Sequence, residues 1–114
     1  MDEGTREQIS KWIDAALAMK EVRENPYVII EDVSFNLDET VVEANAIGCA
    51  LIGKLGIKEA LKIVARANVT SGSVPLRVAV AGGLEIPNPE KFIAFLDTAS
   101  DITPSEMAVL ILKI

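Results

Sequence analysis

Residues 40–52, Thr40-Val41-Val42-Glu43-Ala44-Asn45-Ala46-Ile47-Gly48-Cys49-Ala50-Leu51-Ile52, decide how the rest of the chain is read. Thr40 and Glu43 have the spacing of a capping box, in which a hydroxyl and a carboxylate satisfy the free amides of a helix's first turn. From Ala46 to Gly53 no polar side chain follows. At helical spacing Ala44, Ile47, Gly48 and Leu51 share one face, while Val42, Cys49 and Ala50 are apolar on the other. A helix that is apolar all round belongs in an interior, so the stretch predicts a buried central helix over about 40–52. Gly48 costs up to ~1 kcal/mol relative to alanine inside a helix, which a closely approaching neighbour would offset. Asn45 falls in the first turn. A buried amide needs partners, so it either fixes register or lines a small pocket, unless it stays near solvent. Gly53 and Gly56 bracket a tight break.

Working outward, Ile57 to Ala67 is cleanly amphipathic. Ile57, Ala60, Leu61 and Val64 face the core, and Lys58, Lys62 and Arg66 share the other side with Glu59. On the N-terminal side, Thr5 and Gln8 open a helix whose stripe is Ile9, Trp12, Ile13, Ala16 and Met19. Asn25-Pro26 is expected to end it, because proline restricts the preceding residue and lacks an amide donor. Between these helices the period changes. Tyr27-Val28-Ile29-Ile30 is β-rich, and Val33, Phe35 and Leu37 alternate with Ser34 and Asn36, which predicts two short strands turning at Glu31-Asp32.

Beyond Ser71-Gly72-Ser73, Pro75 fits the start of a helix ending at Gly82-Gly83. Leu76, Val78 and Val80 also fit strand alternation; the helical neighbours favour helix. Asn88-Pro89 starts a helix with a stripe of Phe92, Phe95, Leu96 and Ala99. Thr103-Pro104-Ser105-Glu106 starts another, with Met107, Leu110, Ile111 and Ile114 on its buried face. Val109 and Leu112 point elsewhere, which marks them as interface candidates. The expected fold class is mainly α: a single domain over 1–114, a compact bundle of five or six short helices around the buried helix at about 40–52, with a small β element near residues 27–37.

Composition bounds what such a domain does. Half of its 114 residues are hydrophobic and 25% are charged, at or above the apolar share of average globular domains. A domain this small hides only roughly 65% of the surface its unfolded chain exposes. Some of the apolar surplus is therefore expected on the outside or against another subunit, which points to a homo-oligomer. No uncharged run approaches the ~18 residues of a membrane helix. The start, Met1-Asp2-Glu3-Gly4-Thr5, is unlike a secretory signal. Cys49 is the single cysteine and the net charge is −6, so a cytoplasmic location is expected, with little general affinity for nucleic acid or anionic membranes.

The missing residue types narrow the chemistry further. With no histidine, the commonest general base and metal ligand is absent. One cysteine cannot build a structural zinc site, and Ala81-Gly82-Gly83-Leu84 is too short to count as a nucleotide loop. Glu31, Asp32, Asp38, Glu39 and Glu43 would suit a hard cation, but they lack the spacing of a known calcium loop and read as a solvated turn and helix start. Lys58, Lys62 and Arg66, with Lys54 just ahead, would suit an anion or nucleic acid; Glu59 interrupts them and no aromatic side chain is interleaved. Cys49 reads as a small buried hydrophobe. The last two predicted helices have the spacing of a helix-turn-helix, yet Ser105, Glu106, Ala108, Val109 and Leu112 offer no base-reading groups. The leading expectation is a non-catalytic interaction or regulatory domain that self-associates, without cofactor or catalytic residues. The alternatives are an anion or nucleic-acid binder using Lys58, Lys62 and Arg66, and a carboxylate-based metal-dependent enzyme.

Overall fold

The computed structural model describes residues 3–68, 74–84, 94 and 101–113. Helix α1 runs over Glu3–Leu17 and buries Ile9, Ser10, Ile13 and Ala16, a spacing of three and four that keeps them on one face. It stops well before Asn25-Pro26, where the sequence suggested its end. Met19 N–H donates to the Ala16 carbonyl at 3.0 Å and Val22 N–H to the Met19 carbonyl at 3.2 Å. These tight turns redirect the chain into a strand, β1 (Val22–Glu24).

Two more strands, β2 (Ile30–Asp32) and β3 (Val42–Ala44), complete a sheet with the order β1-β3-β2. β1 lies parallel to β3, with Val22 opposite Val42, and β2 lies antiparallel to it, with Ile30 opposite Ala44. Two expectations are corrected here. Glu31 and Asp32 do not turn a hairpin; they lie within β2. Residues beyond Val33 are not a strand either, because the backbone leaves the sheet once Val33 N–H has bonded to the Val41 carbonyl at 2.9 Å. Phe35 and Leu37 consequently stand in solvent.

The third correction concerns the central stretch. Helix α2 covers Ala46–Leu55, not 40–52, and its N-cap is Asn45 rather than Thr40. Asn45 Oδ1 accepts from Gly48 N–H at 3.0 Å, and the Asn45 amide donates to Val28 and Ile29 carbonyls at 2.8 and 3.2 Å. Asparagine caps at least as well as threonine. The β-branched Val41 and Val42 suit an extended backbone, and Val42 is fully buried as the centre of the sheet. The helix therefore begins where the strand has finished pairing.

Every residue from Ala46 to Ile52 is buried. α2 packs against α1, against α3 (Ile57–Asn68), α4 (Val74–Ala81) and α5 (Pro104–Leu110), and against β3. Glycines permit the close approaches. A Cβ on Gly48 would overlap the Ile29 carbonyl oxygen and lie 2.7 Å from Ile30 Cγ1. One on Gly53 would run into the Trp12 backbone of α1. The two positions are five residues apart, so they notch α2 on well-separated faces, one toward the sheet and one toward α1.

Helix α4 settles the choice between helix and strand over residues 74–82, with Val78 and Ala79 buried. Gly83, at φ 66°, takes the left-handed conformation that ends it, and Leu84 N–H returns to the Ala79 carbonyl at 3.0 Å. The helix expected over 88–99 lies outside the described residues, except for Ala94, which is helical and exposed. α5 opens at Thr103 as the sequence indicates, its hydroxyl accepting from Glu106 N–H, and continues into a 3-10 turn over Ile111–Lys113. Met107 and Ile111 are buried, whereas Leu110 is only half-buried. Ser10 Oγ donates to the Ala108 carbonyl at 2.7 Å and joins α1 to α5 inside the core. The fold is thus a helical protein with a small three-stranded sheet.

Candidate functional site

Of the residues singled out by sequence, Lys58, Lys62 and Arg66 lie exposed along α3. Lys58 also lines a concavity. A cleft of about 810 Å³ opens between α3, the sheet and the loop joining β2 to β3. Lys20 and Arg23, either side of the start of β1, stand in it with Lys58. The carboxylates of Glu21, Asp32, Asp38 and Glu39 line it too, around the apolar side chains of Val41, Ile57 and Leu61. Three carboxylates of the acidic stretch, Asp32, Asp38 and Glu39, thus share a cleft with Lys58 of the basic helix face. Such mixed charge over an apolar floor suits a peptide-like surface better than a bare anion, whose approach the four carboxylates oppose.

The loop above this cleft, residues 33–41, is held at its base. Ser34 N–H donates to Asp32 Oδ1 at 3.0 Å, the Ser34 hydroxyl donates to the same oxygen, and Val41 N–H donates to Ser34 Oγ at 2.9 Å. The two bonds from Ser34, side chain first and backbone second, hold the Asp32 carboxyl below its usual value. Glu39 N–H closes a turn onto the Asn36 carbonyl at 3.2 Å. Phe35 and Leu37 project from this frame, 99% and 108% exposed. Sequence reasoning placed them on a strand and missed them as surface. The signal was present: Asp32-x-Ser34 is an Asx-turn pattern, and Asn36 and Asp38 favour turns.

The other conspicuous groups are structural. Cys49 is fully buried, its Sγ 3.8 Å from the Ala44 carbonyl. Burial first, and the Glu24 carboxylate second, push the thiol up to about 12, so it stays protonated and unreactive at neutral pH. Lys54 Nζ donates to the Gly83 carbonyl at 2.7 Å and lies 5.2 Å from the centre of the Trp12 ring, which ties the ends of α2 and α4 to α1. Glu24 accepts from Ser105 N–H at 2.6 Å at the start of α5. Tyr27 donates its hydroxyl to Asp101 at 3.2 Å, and that bond, aided by the carboxylate's charge, raises its pKa.

No three His, Cys, Asp or Glu among the described residues are grouped to hold a metal ion. No helix among them is long and apolar enough to cross a membrane. Val109 and Leu112, the sequence's interface candidates, are 55% and 46% exposed at the end of α5 and in the 3-10 turn. The chain matches no protein-family model, and no curated protein or solved structure is significantly similar to it.

Proposed function

We propose that this chain is a small non-catalytic interaction domain, a helical bundle organised around α2, that associates with copies of itself in the cytoplasm. One observation carries the reading: among the described residues several large apolar side chains stand uncovered, chief among them Phe35 with Leu37 on the β2–β3 loop and Val109 with Leu112 at and beyond the end of α5. Leaving them in water forgoes roughly 25 cal/mol per Å² of burial, which a second subunit recovers. Light scattering across a concentration series tests it. A mass rising above 12.2 kDa with concentration is expected; a monomer at the highest concentration reached overturns the reading.

Anion or nucleic-acid binding is the second reading, favoured by the exposure of Lys58, Lys62 and Arg66 on one helix. Glu59 on the same helix and the carboxylates beside Lys58 weaken that field. If the reading is right, an oligonucleotide binds at low salt and Lys62→Glu lowers its affinity. Unchanged affinity in that variant would remove the idea.

A further inference from the structure

We draw no further inference here: the strongest candidate, the cleft between α3, the sheet and the β2–β3 loop, carries four carboxylates against three cations, a near balance that selects no one class of ligand, and nothing in the structure shows what covers Phe35 and Leu37 on the adjoining loop.

Discussion

Ile47 and Leu51 are 1% and 0% exposed in α2, whereas Phe35 and Leu37 are 99% and 108% exposed on the β2–β3 loop. The side chains are of the same kind; the backbones that carry them are not. Residues 46–52 repeat at a period that lets four helices and a strand close over them. Residues 34–40 follow the last ladder bond of β2, with no neighbouring strand to cover either face. Apolar character alone therefore does not decide burial here: it needs an element whose geometry presents the side chain to a partner. Where that partner is missing within the chain, the exposed side chains become the best place to look for one outside it.

The sharpest way to break the comparison is to truncate a leucine in each region. Leu51→Ala removes a fully buried side chain that touches Gly82 and should cost about 2–5 kcal/mol, as buried leucine truncations do. Leu37→Ala should stay within about 0.5 kcal/mol in the monomer. Urea unfolding at a concentration where the chain is monomeric measures both; comparable losses would mean that Leu37 is packed after all.

Gly48→Ala tests the close approach that seals α2. Helix propensity favours alanine by roughly 1 kcal/mol, but the new methyl collides with the Ile29 carbonyl. Backbone cannot step aside as a flexible side chain can, and overpacking of this kind costs about 1–3 kcal/mol. A net loss of up to about 2 kcal/mol is expected from the difference. A stabilised variant in thermal melts would show that the sheet sits farther from α2.

Asn45→Ala separates the capping from the packing. It removes the acceptor for Gly48 N–H while leaving the apolar face untouched, and should cost about 1 kcal/mol. Thr40→Ala, at the other candidate cap, should change little. Equal losses at the two positions would restore Thr40 as the start of the helix.

That pair also explains how much of the molecule was legible in the sequence. α3 was readable because Ile57, Ala60 and Val64 and the charges between them describe one helix with no help from elsewhere. Thr103-Pro104 was readable for the same reason, and Gly48 signalled a close neighbour without naming Ile29. The start of α2 was not readable from local rules, since Thr40 with Glu43 satisfies a capping pattern as well as Asn45 does. Pairing of Val42 with Val22 breaks the tie, and such pairing lies between segments that no periodicity links. β1 escaped notice because three residues are too few to show alternation. The cleft escaped for a related reason: Lys20 and Arg23 carry no signal of their own until the sheet brings them to Lys58.

The smallest effect is expected at the foot of the loop, where Asp32 accepts from Ser34. Its folded-state pKa is lowered, so the ionised form favours the fold. That contribution is complete above the unfolded value near 3.8 and is lost as pH falls through the folded value. Asp32 is wholly exposed to water, so the effect is confined to acid and to the loop. Side-chain NMR titration should find Asp32 below 3.8, and Ser34→Ala should return it toward that value, since both lowering bonds involve Ser34 and the hydroxyl supplies the larger. The same substitution also frees Val41 N–H from its bond to Ser34 Oγ, so the loop should lose order while the amides of α2 keep their protection from exchange. Matched changes in both regions would mean that loop and core unfold as one unit, and the contrast between them would not hold.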